Sequence, residues 1–567
     1  MLKKILISGI VAGALAGCTD SGDVNLSPTN ISNGSTGSSS GGSSSSNVCA
    51  SYSEAGQTFQ GTFDGKNCVY NSQFVSSTNP ITVSSVTFSN FGGFHVFEDS
   101  LFIGDDVNAS AAQAGKRIPQ EGEGTRLNIA PGVTMVFKNT DGYVRVARGS
   151  QIFAEGTATS PIIFTADEDA IAGTATESDR GLWGGLQING NGRTNKCHDG
   201  TATGSGSGTS AFLPTANNVH NCHVTAEGRP ATYGGNNNAE NSGVLRYVVV
   251  KHAGFEVVDG DELNAITLNA VGSGTTISHV QAYTSQDDGF EMFGGAVNMD
   301  HIVAVNVGDD SIDYSEGYNG DIQYAIVVHT SGANRCIEGD NTGGSRSDAF
   351  TPTSKLRISN MTCVTSNIDT NAGTNPTGKG DSEGPLFREG AFFEMYNSLI
   401  TSNATSMASN ECLELDDTEG PQTIDAAQAS TSIAKSNVIA CSEPLKVGTG
   451  AFGNAGFDLS NWLAGGGINA QTPANTNTNN VVFSTAQLAA DAGGPVLVDA
   501  GASARDHLTA ASITDGAGNP LFNQSTQLFD ASTLGSIFKK PTYLGGANST
   551  DNWLSGWAVG LNKPLAP

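Results

Sequence analysis

The chain has 567 residues, of which 14% are charged and 37% hydrophobic, so it is long enough for one large domain or several smaller ones. The 27 Lys and Arg residues stand against 55 Asp and Glu residues, which gives a net charge of -28 at pH 7. This charge repels phosphate backbones, so nucleic acid is excluded as an expected partner, whereas divalent cations and basic surfaces are favoured.

The first 18 residues indicate export and lipidation. Lys3 and Lys4 precede an apolar stretch of 11 residues, which is too short to cross a bilayer as a helix. The stretch ends in small residues before Cys18, a pattern that resembles a bacterial lipoprotein signal cleaved before a lipidated cysteine. Because Thr19 rather than Asp follows Cys18, the resemblance implies anchoring in outer-membrane lipid, at the cell surface or on the periplasmic face.

The rest of the chain divides by composition into four regions. Residues 19–47 are rich in Ser, Gly, Asn and Thr, which predicts a flexible tether. Residues 48–120 are expected to cap the N-terminal end of a repeat region, and the repeats themselves are predicted over 121–475. Residues 476–567 are expected to cap the C-terminal end, with short helices in stretches such as 484–492.

The repeat consists of short runs rich in β-branched residues, separated by Gly, Asn, Asp and Ser. Three successive runs begin at Ile277, Met299 and Ile322, so their starts are almost evenly spaced along the chain. Short strands that recur with a period in the low twenties are typical of a solenoid, most often a parallel β-helix. The alternative is a β-sandwich, which is disfavoured because few two-residue hairpin turns are present.

Besides Cys18 the sequence has eight cysteines, an even number that predicts disulfides in an exported protein. Successive pairs lie 19, 25, 27 and 29 residues apart, which is close to one turn of the repeat. We therefore predict sequential pairing, with the bonds Cys49–Cys68, Cys197–Cys222, Cys336–Cys363 and Cys412–Cys441.

An acidic residue between apolar neighbours recurs along the repeat. Since side chains alternate along a strand, the apolar pair is expected to fill the core and the acid to face outward, and acids of successive coils are expected to stack about 4.8 Å apart. The copies are centred on Glu256, Glu291, Asp313, Glu338, Glu394 and Glu414.

Two of these copies are longer and align with each other when one is shifted by one repeat. The shift superposes the segment from Asp287 to Glu291 on the segment from Asp309 to Asp313. Like charges facing each other across strands are destabilising unless a cation, raised pKa values or hydrogen bonds relieve them. We predict a Ca²⁺ site, since all-oxygen clusters suit that ion; the alternative is that the Asp-Asp pairs form turns. The predicted ligands are Asp287, Asp288, Glu291, Asp309, Asp310, Asp313 and Glu338.

The chain resembles a group of uncharacterised bacterial surface lipoproteins with a right-handed parallel β-helix of the pectin-lyase-like kind. The matching segments include 127–133, 183–190, 245–254, 262–268, 287–298 and 553–557. The resemblance implies an all-β solenoid and a surface location, and it implies no chemistry.

These features are compatible with three functions. The favoured one is a non-catalytic, cation-assisted protein for adhesion or for binding a glycan or surface protein. The second is a polysaccharide lyase or hydrolase with Asp288, Asp309 and Asp310 as catalytic candidates, because hydrolases of this fold resemble the cluster in placing acids on adjacent coils. The third is an accessory lipoprotein of an outer-membrane receptor or secretion system. His279, His301 and His329 fall in strand runs and are interpreted as surface or coil-packing residues rather than metal ligands.

Overall fold

A computed structural model describes most of the chain from residue 47 onward. The described ranges are 47–198, 210–211, 222–258, 261–330, 333–341, 351–366, 379–402, 411–417, 422–441, 443–448, 456–467, 474–482, 513–514, 520–548 and 551–561. The predicted lipoprotein signal with Cys18, residues 19–46 of the predicted tether and the predicted helical stretch 484–492 lie outside these residues.

The chain folds as a parallel β-helix, which confirms the predicted fold class. One face of the coils is a ten-stranded sheet in which every pairing is parallel. In spatial order its strands are Leu101–Ile103, Tyr143–Val146, Gly185–Asn189, Ile266–Asn269, Phe290–Phe293, Ile312–Ser315, Glu338–Gly339, Leu386–Phe387, Glu414–Leu415 and Lys446–Val447.

The other two faces come from an eighteen-stranded sheet that is bent along its length. A long strand such as Lys355–Thr365 pairs through its first half with Phe392–Tyr396 and through its second half with Leu399–Ser402. The strands are Thr62–Phe63, Cys68–Tyr70, Ser85–Phe88, His95–Phe97, Arg126–Ile129, Thr134–Phe137, Gln151–Glu155, Ile162–Ala166, Gly243–Lys251, Thr276–Tyr283, Asn298–Val305, Asn319–Val328, Lys355–Thr365, Phe392–Tyr396, Leu399–Ser402, Ile433–Lys435, Val438–Ala440 and Val481–Val482.

Besides the two large sheets, the described residues form five small two-stranded sheets. They are Ser51–Glu54 with Gln57–Gln60, Cys197–His198 with Ser210–Ala211, Val224–Thr225 with Thr232–Tyr233, Glu256–Val258 with Asp261–Glu262, and Ile513–Thr514 with Pro520–Phe522. The helices among the described residues are short, and they are Ala109–Gln113, Asp167–Ala170, Gln422–Gln428, Leu459–Leu463, Gln524–Gln527 and the 3₁₀ helix Ala531–Thr533. Within the described ranges, no helix has the length and apolar character needed to cross a membrane.

The predicted repeat sets the register of the central coils. Ile277 pairs with Met299, and Met299 pairs with Ile322, so the three runs seen in the sequence are neighbouring strands. Their alternate residues pack inside the coils as one continuous apolar core. The core exists because no single coil can bury its own apolar face, whereas stacked coils bury it on one another.

All four disulfides have the predicted sequential pairing. They join Cys49 to Cys68, Cys197 to Cys222, Cys336 to Cys363, and Cys412 to Cys441. The bonds span 19 to 29 residues of sequence, and the bond between Cys197 and Cys222 lies within the long connection between Gly185–Asn189 and Gly243–Lys251.

At the N-terminal end the coils begin earlier than predicted. An antiparallel hairpin, Ser51–Glu54 with Gln57–Gln60, lies at this end, and the Tyr52 ring packs 5.2 Å from that of Phe74. Parallel pairing already starts at Cys68–Tyr70, which pairs with His95–Phe97. The region 48–120 therefore contributes strands to the coils as well as a cap. Its short apolar strands pair in parallel with the strands that follow them in the chain.

At the C-terminal end the predicted cap is instead a lengthwise strap. Residues 520–548 and 551–561, here called the C-terminal strap, run back along one corner of the coils. Side-chain amides of the coils bind its backbone through pairs of hydrogen bonds. Gln281 Nε2 donates to Val559 O and Gln281 Oε1 accepts from Val559 N, each over 2.8 Å. Asn397 makes the same pair of bonds with Phe529.

Candidate functional site

The predicted acids come together on the ten-stranded sheet and on the turn that precedes each of its strands. The carboxylate ladder is defined as Asp287, Asp288, Glu291, Asp309, Asp310, Asp313 and Glu338. Glu291 pairs with Asp313, and Asp313 pairs with Glu338, in direct register across three coils. The shift by one repeat therefore superposes these acids as the sequence predicts.

Strand alternation explains why the acids leave the core. Phe290 and Met292 are fully buried between the sheets, as are Ile312 and Tyr314 of the next coil. Glu291 lies on the opposite face, yet only 6% of it is exposed, because Asn264 Nδ2 donates to it and Glu227 from a long connection hydrogen-bonds to it. The ladder is thus covered by connections rather than lying on an open surface.

Two of the six repeated acids do not lie in the ten-stranded sheet. Glu256 lies in the antiparallel hairpin Glu256–Val258 with Asp261–Glu262, where it is exposed. Glu394 lies in the eighteen-stranded sheet, where it pairs with Arg357. The prediction was wrong for both, because the apolar-acid-apolar pattern marks any half-buried strand and does not say which face of the coil the strand belongs to. Glu414 does lie in the ten-stranded sheet.

Asp288 and Asp310 form part of a ladder of turn hydrogen bonds. Asp288 N donates to Asn264 Oδ1 over 3.1 Å, Asp310 N donates to Asp288 Oδ1 over 2.9 Å, and Arg335 N donates to Asp310 Oδ1 over 2.7 Å. Each carboxylate thus accepts a backbone N–H of the next coil. The Asp-Asp pairs therefore do stabilise turns, and their hydrogen bonds reach from one coil to the next.

Asp287 and Asp309 share a lysine that the sequence analysis did not identify. Lys379 Nζ lies 2.5 Å from Glu262 Oε1, 3.3 Å from Asp287 Oδ1 and 3.4 Å from Asp309 Oδ2. Burial alone lowers the pKa of Lys379, but the charges around it more than reverse the effect and the pKa is raised. The ammonium group is therefore charged at neutral pH.

A second cation lies at the next coil. Arg388 Nη2 is 2.9 Å from Glu338 Oε2, and Arg388 Nε is 2.9 Å from Asp340 Oδ1. Further along the sheet Arg335 contacts Glu383, Glu411 and Glu414 at 2.5 to 3.3 Å. Lys446 adds a 2.5 Å contact with Glu411, so this second cluster is largely neutralised.

The carboxylate ladder itself carries more acid than these cations balance. Burial is the first cause of a raised pKa at all seven acids, and at most of them the charges of neighbouring acids add to it. For Glu338 burial raises the pKa to about 7, although Arg388 opposes the shift. Full ionisation of the ladder at neutral pH therefore requires additional positive charge.

Two groups of ladder oxygens lie close enough to share one cation. Asp287, Asp288 and Asp309 form one group, and Asp288, Asp310 and Asp313 form the other, with the potential ligand atoms of each group within 4.8 Å of one another. Lys379 contacts the first group. In the second group Asp313 Oδ1 is buried and has no hydrogen-bond partner among the described residues.

The catalytic candidates lie within the same ladder. Asp288 and Asp310 are only 6% and 4% exposed, while the side chain of Asp309 is 19% exposed and accepts a 3.0 Å hydrogen bond from Asn334 Nδ2. Lys251, His252, His301 and Arg388 are candidates for the base that a lyase needs, and of these Arg388 contacts the ladder at Glu338. Lys251 instead pairs with Asp169 at 2.6 Å.

Comparison with known proteins agrees with this architecture. The sequence model of the pectate-lyase like beta helix domain matches residues 115–449, which is more than half of the chain. No curated protein matches the chain, and no solved structure matches it. The match spans the central coils, the carboxylate ladder and both of its cations. The chain therefore belongs to the family of pectate-lyase-like beta helix domains.

Proposed function

We propose that this protein is a non-catalytic surface lipoprotein whose carboxylate ladder binds Ca²⁺ and uses it to hold an anionic ligand, either an acidic glycan or an acidic surface protein. The observation that carries the proposal is the group Asp288, Asp310 and Asp313. Its oxygens converge, and the buried Asp313 Oδ1 has no hydrogen-bond partner in the described part of the chain. A buried acceptor of this kind is costly unless a ligand satisfies it.

The donor set decides which ion fits best. All the convergent atoms are carboxylate oxygens, which suit the hard cations Ca²⁺ and Mg²⁺. Two of the three acids are fixed by backbone N–H groups of the next coil, so the geometry follows the stacking of the coils rather than an octahedron around an ion. Ca²⁺ accepts irregular coordination and Mg²⁺ does not, and this favours Ca²⁺.

Binding without catalysis is favoured by the protonation states of the neighbouring cations. A lyase needs a neutral base near the substrate. The pKa values of Lys379 and Arg388 are both raised by their carboxylate partners, which outweigh the opposing effect of burial. Both side chains therefore remain protonated, and they are suited to holding an anionic ligand beside the ion rather than to accepting a proton.

The second candidate function is polysaccharide hydrolysis. One observation favours it: the pKa of Asp309 is raised, first by burial, and its side chain is partly exposed. A protonated acid beside ionised acids is the arrangement that glycoside hydrolases use. In this candidate Asp309 protonates the leaving oxygen, and Asp288 or Asp310 activates water.

The cellular location belongs to the same proposal and rests on the signal pattern that ends at Cys18. Radiolabelled palmitate should enter the wild-type chain and not the Cys18→Ser variant, and the wild type should fractionate with the outer membrane. Protease added to intact cells should then degrade it if it is displayed at the surface. A role as accessory to an outer-membrane receptor would appear as co-purification with such a receptor after cross-linking.

Calorimetric titration of the full-length chain in detergent, after chelation, tests the ion site. We expect saturable heat with Ca²⁺, weaker binding of Mg²⁺, and loss of the Ca²⁺ heat in the Asp313→Asn variant. Glu256→Gln is the matched control, since it removes an exposed acid from the same sequence pattern outside the ladder. No heat with Ca²⁺ up to millimolar concentration would contradict the ion site.

A second experiment separates binding from catalysis. Polygalacturonate and other acidic polysaccharides are incubated with the protein in the presence of Ca²⁺, and both sedimentation binding and new chain ends are measured. Ca²⁺-dependent binding with no new ends supports the proposal. New reducing ends that disappear in Asp309→Asn support the hydrolase instead.

A further inference from the structure

A column of left-handed backbone positions runs along the corner between the two halves of the eighteen-stranded sheet. A positive φ is unusual for residues other than glycine, and Asn, Asp and His tolerate it best. The residues at this corner, with φ between 49° and 63°, are Tyr247, His279, His301, Tyr324, Asn360, Asn397, Ser436 and Asn479. The C-terminal strap covers the same corner.

Two neighbouring coils place histidines at this corner, directly above one another. The imidazole rings of His279 and His301 stack with centroids 4.4 Å apart and planes 9° apart. Tyr247 extends the stack on one side at 4.4 Å and Tyr324 on the other at 4.8 Å. The coil spacing therefore brings together two imidazoles that belong to successive repeats of the sequence.

An acid from the neighbouring strand position completes the group. Asp300 Oδ1 lies 2.5 Å from His301 Nδ1 and accepts a 2.9 Å hydrogen bond from Ser278 Oγ. Ser278 Oγ in turn lies 2.8 Å from His279 Nδ1. A single chain of contacts thus runs from His279 Nδ1 through Ser278 Oγ and Asp300 Oδ1 to His301 Nδ1.

We propose that His279, Asp300 and His301 form a binding site for a divalent transition-metal ion of the Cu²⁺ or Zn²⁺ class, separate from the carboxylate ladder. One potential ligand atom of each residue lies within 4.8 Å of the other two. Two imidazoles and one carboxylate are a donor set that these ions prefer and that Ca²⁺ does not.

The surroundings fit a site that exchanges ions with solvent. The side chains of His301 and Asp300 are 14% and 37% exposed, so the group is reachable, and three protein ligands leave a position for water.

The strap supplies a reporter for this site. The ring of Trp553 lies 4.9 Å from that of His301, and the ring of Trp557 lies 5.9 Å from that of His279. A bound Cu²⁺ ion therefore quenches two of the four tryptophans of the chain. Trp183 and Trp462, the other two, are buried in the main core.

The test is a Cu²⁺ titration of the full-length chain, followed by tryptophan fluorescence and by electron paramagnetic resonance. We expect saturable partial quenching at one equivalent, nitrogen coupling in the Cu²⁺ spectrum, and competition by Zn²⁺ but not by Ca²⁺. The variants are His301→Asn, which the corner accommodates because Asn360 and Asn397 occupy the same position, and Asp300→Asn. Each is expected to weaken Cu²⁺ binding by about tenfold or more.

Tyr247→Asn is the matched control, because it removes one ring of the same stack at the same backbone position without removing a ligand. It should bind Cu²⁺ as the wild type does. The thermal midpoint of every variant without metal shows that it is folded. The proposal is overturned if His301→Asn and Asp300→Asn bind Cu²⁺ like the wild type, or if the quenching does not saturate. Neither result would affect the Ca²⁺ site, whose ligands lie on another sheet.

Discussion

The Glu338→Gln substitution tests whether the carboxylate ladder carries uncompensated charge. Glu338 pairs with Asp313 in register and contacts Arg388, which keeps its 2.9 Å contact with Asp340 when the glutamate is replaced. The amide is close to the carboxylate in size and does not ionise. The substitution therefore removes one charge from the ladder without leaving Arg388 alone.

The expected size follows from the pKa of Glu338, which burial raises from 4.5 to about 7. At 1.4 kcal/mol per pH unit, this rise corresponds to about 3 kcal/mol of folding free energy. Because the pKa is higher in the folded state, the stability is fully present below pH 4.5 and is lost as the pH rises through 7. As the pH rises through this range, the free energy of unfolding of the wild type should thus fall by about 3 kcal/mol, and that of the Gln variant should not.

The assay is denaturant unfolding of both proteins at pH 5 and pH 8.5 in the presence of a chelator. The difference between the two proteins should change between these pH values by up to about 3 kcal/mol in favour of Glu338→Gln. Glu256→Gln, whose carboxylate is exposed in the hairpin, should show no such change. Saturating Ca²⁺ at pH 8.5 should restore much of the wild-type loss, since it stabilises the ionised ladder.

Equal pH dependence in the wild type and in Glu338→Gln would refute this reasoning. It would mean that Arg388 and the neighbouring hydrogen bonds already compensate the glutamate in full. A larger loss in the Gln variant at pH 8.5 would show that the contact between Glu338 and Arg388 outweighs the repulsion among the acids. Either result would weaken the argument for a bound cation.

Three further predictions concern the core, a tight turn and stability in acid. Met292→Ala, at a fully buried position of the ten-stranded sheet, should lower the free energy of unfolding by about 2–5 kcal/mol, and a loss below about 1 kcal/mol would contradict the packing described. Gly185→Ala should lower the thermal midpoint strongly, because the φ of Gly185 is +121° and a Cβ there would lie 2.0 Å from Asn264 O. Gly173→Ala is the control and should lower the thermal midpoint much less, because Gly173 has a φ of +65° and open space around it. Burial lowers the pKa of His95 from 6.5 to about 4, so the stability that depends on the neutral imidazole is lost as the pH falls between these values. Between pH 7 and pH 4, the free energy of unfolding of His95→Gln should therefore fall by about 3 kcal/mol less than that of the wild type. The same fall in both proteins over this pH range would contradict the prediction.

The sequence alone predicts the fold because the coils are encoded locally. The run that begins at Ile277 repeats at Met299, and this period fixes both the strand positions and the register between them. The alternation of Phe290, Glu291 and Met292 likewise fixes which side chains enter the core. The pairing of Cys336 with Cys363 and of Cys412 with Cys441 follows from the same period, since cysteines about one coil apart are neighbours in space.

The tertiary structure alone decides what surrounds the acids. Lys379 lies 92 residues from Asp287 and reaches it through a connection whose length the repeat does not set. The strap is an extreme case, with Gln281 and Val559 hydrogen-bonded across 278 residues. The placement of Glu256 in a hairpin and of Glu394 on another face has the same origin, because insertions between coils change which face a strand joins.

The sequence therefore determined the stacking of the coils and the row of acids, because both depend on a periodicity that a few residues specify. The folded chain decided which cations meet those acids and how far the acids are buried. It also decided that two histidines on neighbouring coils stack on each other beside one aspartate. Contacts of this second kind form between segments far apart in sequence, and they depend on loop paths and packing that no local pattern encodes.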